Sequence, residues 1–245
     1  MKTTPRLHLD AALAPAAEIA LSREQAHYLT GVLRLSPGDP VAAFNASDGE
    51  WLCYLATVTK KGASIRCERQ VSAVKPPPDI DYCFAPLKHA RLDYVVQKAT
   101  ELGARRLRPV ITQRTIAERV NMERMRANVI EAAEQCNLVF VPDVLEPVKL
   151  NALLRDWAPP RALIYCDETA AIADPLQALK PLSAPAAVLI GPEGGFTGEE
   201  KAMLKSCSFV TAISLGPRIM RADTAAVAAL TLVQAVLGDW HSETG

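Results

Sequence analysis

Residues 187–197 have the sequence AVLIGPEGGFT, which is the most informative stretch of the chain for predicting the fold. The apolar run at 187–190 predicts a short buried strand, and the glycines and proline at 191–195 predict a turn directly after it. Thr197 and Glu200 have the spacing of a capping box, so we expect a helix to begin there. A strand that passes through a glycine turn into a helix is typical of an open parallel α/β sheet, in which ligands bind at the carboxyl ends of strands.

The glycine turn differs from the two common phosphate-binding loops. It lacks the Gly-Lys-Ser/Thr of a Walker loop, and its glycines do not follow the Gly-x-Gly-x-x-Gly spacing of a dinucleotide fold. Taken alone, the turn is as consistent with a structural tight turn as with a ligand-binding loop.

A second loop of the same kind lies at 214–224 and reads SLGPRIMRADT. It follows a predicted strand at 210–215 and leads into a helix predicted over 224–237. Two loops of this composition at strand ends predict two walls of one pocket. Arg221 and Asp223, at the start of the helix, are either a structural ion pair or polar groups that face a substrate.

The surrounding sequence alternates strands with helices, which predicts a parallel sheet covered by helices. Strands are predicted over 81–85, 107–111 and 162–166, and helices over 89–102 and 121–136, with Gly103 ending the first. The helix over 224–237 is apolar on nearly every side, so we expect it to be buried, either in the protein or against a second subunit.

The first 75 or so residues are predicted to form a separate β-rich domain, because Lys75-Pro76-Pro77-Pro78-Asp79 reads as a stiff linker. Ser22 and Gln25 predict a capped short helix. Strands are predicted near 41–44, 51–59 and 64–71, separated by turns at Pro37-Gly38-Asp39, Asp48-Gly49 and Lys61-Gly62. Several short strands in so few residues predict a small closed barrel.

Composition narrows the class of protein. Hydrophobic residues make up 49% of the chain and charged residues 22%, which indicates a folded globule. The six cysteines are scattered without a Cys-x-x-Cys pair, which favours packing thiols over a zinc site or a disulfide framework. No apolar segment follows Met1 or reaches the roughly 18 residues that span a membrane, so we expect a soluble cytoplasmic protein.

The net charge of zero conceals an uneven distribution. Residues 88–126 hold ten Lys and Arg against four acids, whereas residues 127–245 hold eight against fourteen. A basic segment of this kind is typical of a surface that binds a polyanion, although a solvated helix surface gives the same pattern.

Five motifs, in order, give the chain a resemblance to one family. Gly191-Pro192-Glu193-Gly194-Gly195-Phe196 and Leu215-Gly216-x-Arg218-Ile219-x-Arg221-x-Asp223-Thr224-Ala225 resemble the two loops of the RsmE family, bacterial methyltransferases of the SPOUT superfamily that methylate N3 of a uridine in 16S ribosomal RNA. Three other segments are similar to that family: His27 to Arg34 with Gly38-Asp39, Lys98-Ala99-Thr100-Glu101-Leu102-Gly103, and Glu131-Ala132-x-Glu134-Gln135 with Pro142. The chain departs from the family at Cys136-Asn137-Leu138, where Gly-Arg is common, and at Asp223, where Glu is common.

The resemblance implies an architecture that the order of predicted strands and helices does not itself reveal. It implies a PUA-like β-barrel RNA-binding domain over 1–74, a Pro-rich linker over 75–79, and a SPOUT α/β methyltransferase domain over 80–245 whose chain forms a C-terminal trefoil knot. It further implies S-adenosylmethionine (SAM) as cofactor, a homodimer, no metal and no membrane, with 16S ribosomal RNA or the small ribosomal subunit as partner.

The resemblance also implies the roles of individual residues. We expect Arg221 to stabilise charge that develops on the uracil carbonyls, and Asp223 to orient Arg221 or assist proton removal. We expect Gly194 to require glycine, because a β-branched side chain would strain the turn and fill the cofactor's space. The predicted cofactor-binding residues are Cys166, Glu168, Ile190, Gly191, Pro192, Glu193, Gly194, Gly195, Ser214, Leu215, Gly216, Ile219, Met220 and Arg221. The predicted RNA contacts are Arg6, His27, Arg34, Lys88, Arg91 and Arg114, each of which is also consistent with a solvated surface charge.

Two other functions fit the same residues. One is a SPOUT methyltransferase with a different RNA target, which the full-length likeness disfavours. The other is a non-catalytic RNA-binding protein on a degenerate methyltransferase scaffold, which the intact glycine loop and Arg221 disfavour.

Overall fold

The computed structural model describes residues 4–88, 90–116, 119–167, 170 and 174–240. The chain divides into two compact units, Met1–Pro76 with Ala133–Val141 and Pro77–Ala132 with Pro142–Gly245. The predicted linker at 75–79 lies where the first division falls. Residues 133–141 differ from the expectation, because they group with the first unit although the domain prediction places them in the second.

The first unit is built on one five-stranded sheet. Its elements are β1 (Arg6–His8), β2 (Glu18–Ala20), α1 (Arg23–His27), a π-helical turn (Tyr28–Val32), β3 (Pro40–Asn45), β4 (Gly49–Thr59) and β5 (Gly62–Ser72). The strand order is β1-β3-β4-β5-β2, with β1 parallel to β3 and the other pairs antiparallel. The three strands predicted near 41–44, 51–59 and 64–71 are confirmed as β3, β4 and β5, and closure of the sheet into a barrel stays a prediction.

Alternating apolar residues form the core of this unit. Cys53, Leu55 and Ile65 point inward from β4 and β5 and are almost fully buried. The capping box at Ser22 and Gln25 forms as predicted and starts α1, which leads the chain to buried Leu29.

The structure contradicts the prediction that Arg6 contacts RNA. Its side chain is only 8% exposed, and it pairs with Glu50 at 2.6 Å and lies over the ring of Phe44 at 4.4 Å. It also donates to the backbone carbonyls of Ala133, Glu134 and Leu138, at 2.7, 3.0 and 3.1 Å. A guanidinium that is buried and satisfied in this way is not presented to RNA phosphates. Its role is to bind the carbonyls near a helix end, where a positive charge is favourable.

The second unit is a parallel α/β sheet covered by helices. Its elements are β6 (Ile80–Phe84), α2 (Ala90–Glu101), β7 (Arg106–Ile111), α3 (Met122–Gln135), β8 (Asp143–Val144), β9 (Val148–Lys149), α4 (Leu150–Arg155), β10 (Ala162–Cys166), α5 (Pro175–Leu179), β11 (Ala186–Ile190), α6 (Gly198–Ser206), β12 (Val210–Ile213) and α7 (Ala222–Leu237). The last residues of α3 belong to the first unit. The strand order is β12-β10-β11-β6-β7-β8, with β9 also paired to β7, and every pairing is parallel as predicted.

Helices cover both faces of this sheet. On one face α4 and α6 pack with Leu163, Tyr165 and Leu189. The alternate residues, such as Ile164 and Val188, are equally buried on the other face, where α7 packs against β11, α2 and α5. Strands buried on both faces explain why the sequence shows continuous apolar runs.

The strand order sets the position of three loops. Because β10 lies between β11 and β12, the carboxyl ends of three neighbouring strands point to the same edge of the sheet. The chain must cross β10 to pass from β11 to β12. The trefoil knot, which concerns the path of the whole chain, stays a prediction.

Among the described residues there is neither a membrane-spanning helix nor a cluster of metal ligands. Within the described part of the chain, helices are too short or too polar to cross a membrane. Likewise, no three His, Cys, Asp or Glu side chains of the described residues are grouped as metal ligands.

We predict that Arg6→Met lowers the free energy of unfolding by about 3 kcal/mol, because Glu50 loses its cation in a largely buried place. Arg69, an exposed arginine on β5, provides the control. We expect Arg69→Met to change stability by less than about 0.5 kcal/mol. Urea unfolding of both full-length variants measures the difference. Equal stability, combined with weaker RNA binding by Arg6→Met, would restore Arg6 as an RNA contact.

Candidate active site

A cleft of about 820 Å³ lies at the carboxyl ends of β10, β11 and β12. The glycine loop at 191–196 forms one wall, and the loop at 215–222 forms the other. Cys166, Asp167 and Ile190, at the ends of the two central strands, form its floor. The two predicted loops therefore do meet around one cavity.

The glycine loop is a tight turn with two positions that require glycine. The N–H of Gly195 donates to the carbonyl of Pro192 at 2.8 Å, and Gly195 has a φ of 68°, in the left-handed region. A Cβ on Gly191 would lie 2.8 Å from the ring of Phe196, which is too close.

The prediction that a side chain at Gly194 would strain the turn differs from the structure. Positive φ occurs at Gly195 and Gly216 but not at Gly194. A Cβ on Gly194 would meet Arg114 at 3.4 Å, close to an ordinary contact. The strain predicted for Gly194 therefore belongs to Gly195.

Hydrogen bonds hold the glycine loop in its middle and directly after its last residue. Thr197 and Glu200 form the predicted capping box of α6, and buried Glu200 also accepts from the backbone N–H of Gln113 at 2.8 Å. Arg114 donates to the carbonyl of Gly194 at 2.7 Å. Arg114, predicted as an RNA contact, is thus an exposed residue that also holds the glycine loop.

The second loop presents its side chains to the rim of the cleft. Gly216 has a φ of 97°, and its N–H donates to the hydroxyl of buried Ser214 at 3.3 Å. Ser214 therefore shapes the loop from beneath it, whereas Leu215, Gly216, Ile219 and Met220 line the cavity. Ile219 is fully exposed.

Arg221 and Asp223 both lie where the second loop becomes α7. Arg221 is exposed, lines the cleft and is the N-cap residue of α7. Asp223 accepts from the backbone N–H of Thr224 at 2.9 Å, and its other oxygen lies 3.9 Å from Nε of Arg91. In the described residues its ion-pair partner is Arg91 rather than Arg221. The structural Arg221–Asp223 pair, one of the two alternatives, does not form.

Arg91 has a different position from the one expected of an RNA contact. It lies at the start of α2, lines the cleft and forms an ion pair with Glu193 of the glycine loop. The guanidinium therefore lies between two carboxylates of the candidate site, those of Glu193 and Asp223.

The floor of the cleft contains a group that sequence reasoning missed. Asp167 directly follows β10, and its fully buried carboxylate accepts from the hydroxyl of Tyr165 at 2.9 Å and from Nζ of Lys201 at 3.0 Å. Its place after a strand, the same as that of the two loops, is a signal that could have found it. Lys201, Phe196 and Arg218 also line the cleft.

Two other predicted cofactor residues, Cys166 and Glu168, flank Asp167 in the sequence. Cys166 lines the cleft, and burial raises the pKa of its thiol to about 12, so the thiol stays protonated at neutral pH. Glu168 lies outside the described residues.

The remaining predicted RNA contacts are exposed. His27 and Arg34 are exposed in the first unit, where Arg34 has a φ of 55°, and Lys88 is exposed in the second. Fewer basic side chains of the segment 88–126 are available to bind RNA than its charge suggests. Five of its ten basic residues pair with carboxylates in the described structure: Arg91, Lys98, Arg106, Arg124 and Arg126.

Comparisons with known proteins agree with this arrangement. A family model for the RNA methyltransferase domain matches residues 74–234, and one for the RNA methyltransferase PUA domain matches residues 21–67. Ribosomal RNA small subunit methyltransferase E of Synechocystis is 31% identical over 90% of this chain and 74% of that protein. The chain belongs to the RsmE family of RNA methyltransferases. The family predicted from the five motifs is confirmed.

Other members of the family and their structures match over nearly the whole chain. The enzyme of the same name from Rickettsia conorii is 29% identical over 94% of each chain. The crystal structure of the Neisseria gonorrhoeae enzyme, bound to SAM, has a TM-score of 0.88 at 25% identity and covers 97% of this chain and 100% of that one. A Legionella pneumophila protein solved with SAM has a TM-score of 0.83 at 29% identity, covering 97% and 99%. The SPOUT fold of the parallel domain and the presence of a PUA domain are thereby confirmed.

We predict that Gly195→Ala destabilises the protein, whereas Gly194→Ala does not. Alanine at Gly195 must adopt the left-handed conformation, which costs about 1–2 kcal/mol. Alanine at Gly194 makes an ordinary contact, so its effect should stay within about 0.5 kcal/mol. Denaturant unfolding of the two variants side by side measures both values. A larger loss at Gly194 than at Gly195 would contradict this geometry.

Proposed function

We propose that the protein transfers a methyl group from SAM to N3 of a uridine in 16S ribosomal RNA. The observation that carries this proposal is the cleft between two glycine loops, with the exposed cation of Arg221 at its rim. Support comes from membership of the RsmE family, from the names of its relatives and from the SAM-bound structures of two of them.

The cleft suits a cofactor of this size and chemistry. Its volume of about 820 Å³ lies in the range of roughly 300–1,000 Å³ that small-molecule sites occupy. A Cβ on Gly195 or Gly216 would have no atom within 4 Å, so a ligand can approach the backbone of both loops. When bound, SAM supplies a methyl group activated by a positively charged sulfur.

We assign the contacts with SAM to the residues that line this cleft. They are Cys166, Ile190, Gly191, Pro192, Glu193, Gly194, Gly195, Leu215, Gly216, Ile219, Met220 and Arg221, and we add Asp167 as the buried acid of the floor. Ser214 acts indirectly by holding Gly216, and the role of Glu168 stays a prediction.

Arg221 is the proposed catalytic cation. Uridine N3 is weakly acidic and must lose its proton before it can attack a methyl group, so negative charge develops on the two flanking carbonyls. A guanidinium held at the cleft rim can donate to such a carbonyl, and preorganised donors of this kind are among the strongest contributions to catalysis. Because Arg221 is exposed, the N–H donors of its guanidinium are available to a substrate.

Asp223 is the proposed proton acceptor. The suggestion that it orients Arg221 loses support, because its carboxylate lies beside Arg91 instead. The carboxylate is 21% exposed near the cleft and can accept a proton from N3 directly or through a water molecule.

We propose that both units contribute to RNA binding. His27 and Arg34 of the first unit and Lys88 and Arg114 of the second are exposed, and their charges suit phosphate groups. Weaker RNA binding at higher salt concentration is the signature of such contacts.

We also propose that the protein is a homodimer. Ala228, Leu232 and Val236 of α7, spaced four residues apart on one side of the helix, are only partly buried in the single chain, so the helix keeps an apolar face that a second copy can cover. Sedimentation velocity at micromolar concentration tests this proposal, and a stable monomer would exclude it.

We predict that Arg221→Ala slows single-turnover methylation of 16S ribosomal RNA by about a hundredfold or more, as for loss of one donor to a developing oxyanion. Affinity for SAM and for RNA should stay within about tenfold, because the lost interaction forms mainly in the transition state. Arg221→Lys should recover only part of the rate, since lysine keeps the charge but not the planar fork.

Arg126 provides the matched control, because it is an exposed arginine on α3, away from the cleft lining. Arg126→Ala should methylate at the wild-type rate. A wild-type rate for Arg221→Ala, with or without a lower melting temperature, would remove Arg221 from catalysis.

A further inference from the structure

Arg91 connects the two walls of the cleft. Its Nη1 pairs with Oε1 of Glu193, a residue of the glycine loop after β11. Its Nε lies 3.9 Å from Oδ2 of Asp223, at the start of α7 and beyond the loop after β12. One guanidinium therefore interacts with a carboxylate of the first wall and with a carboxylate at the helix start that directly follows the second wall.

The helix that carries Arg91 is held rigidly by its buried residues. Arg91 is the second residue of α2, and the following turns bury Val95, Val96 and Ala99 in the core of the second unit. The same helix packs against α7, in whose first turn Asp223 lies. A side chain anchored on α2 thus has a fixed distance to both loops.

The chemistry of arginine suits this place. The planar guanidinium has five donors in a fixed fork and can serve two carboxylates in different directions. Without it, the carboxylates of Glu193 and Asp223 would lie near one another with no cation between them, and like charges repel. Removing Arg91 should therefore allow the two walls to move apart.

We propose that Arg91 is a positioning residue that holds the two cofactor loops at one separation and places the carboxylate of Asp223 beside the cleft. This inference rests on the proposed function, since it assigns the cleft to SAM. It replaces the expectation that Arg91 serves mainly as an RNA phosphate contact. The effect should be visible in cofactor binding without any RNA.

The test measures the affinity of the full-length protein for S-adenosylhomocysteine by calorimetry, with no RNA present. Arg91→Met should weaken binding about tenfold, a coupling of ordinary size for residues in contact. Arg91→Lys should lie between Arg91→Met and the wild type, because lysine keeps the charge but cannot reach both carboxylates with a fork.

A double-mutant cycle connects the effect to Asp223. If Arg91 acts through the carboxylates, Arg91→Met should cost less in an Asp223→Asn background than in the wild type. Hydrogen exchange should also become faster in both loops of Arg91→Met, at 191–197 and at 214–221, and not in the rest of the sheet.

Arg124→Met is the matched control. Arg124 forms an exposed pair with Asp93 of α2, outside the lining of the cleft. This variant should bind S-adenosylhomocysteine as tightly as the wild type, and all variants should keep melting temperatures close to that of the wild type.

Three results would overturn the inference. Unchanged S-adenosylhomocysteine affinity in Arg91→Met, with weaker RNA binding, would make Arg91 a phosphate contact. Equal losses in Arg91→Met and Arg124→Met would indicate a general loss of structure. A wild-type protein that binds neither SAM nor S-adenosylhomocysteine would overturn the proposed function and this inference together, whereas the first two results leave the proposed function intact.

Discussion

The position of β10 between β11 and β12 is the constraint on which the candidate site depends. Because all three strands are parallel, their carboxyl ends meet at one edge, and each is followed by a polar or glycine-rich segment. Asp167 follows the central strand, and the two glycine loops follow its neighbours. If β11 and β12 did not both flank β10, Asp167 and the two loops would not lie side by side at this edge.

Arginine side chains hold the loops around the cleft in place, and so fix the width of the cleft. Arg114 donates to the carbonyl of Gly194, and Arg91 interacts with the carboxylates of Glu193 in one wall and of Asp223 just after the other. In the first unit, Arg6 similarly binds carbonyls close to the end of α3. Charge along a sequence shows how many cations a segment has, but not whether each one meets a phosphate, a carboxylate or a carbonyl. That depends on tertiary contacts, and three of the six predicted RNA contacts have such internal partners.

Strong local signals were predictable from the sequence. The apolar runs at β10 and β11, the capping boxes at Ser22 and Thr197, and Gly103 at the end of α2 all depend on neighbouring residues alone. The strands β1, β2, β8 and β9 were missed, because two or three residues are too few for alternation and only pairing with distant strands makes them extended. The grouping of residues 133–141 with the first unit has the same origin. The glycine that needs a positive φ, Gly195 rather than Gly194, is set by how the turn closes, which composition does not show.

The identity of the methylated nucleotide tests the central claim most directly. Mass-spectrometric mapping of 16S ribosomal RNA would compare cells that contain this protein, cells that lack it, and deficient cells supplied with the wild type or with Arg221→Ala. The account predicts that one N3-methyluridine disappears without the protein, returns with the wild type and stays absent or strongly reduced with Arg221→Ala. An unchanged set of methylated uridines in the deficient cells, or the loss of a methyl group from another base or another RNA, would contradict it.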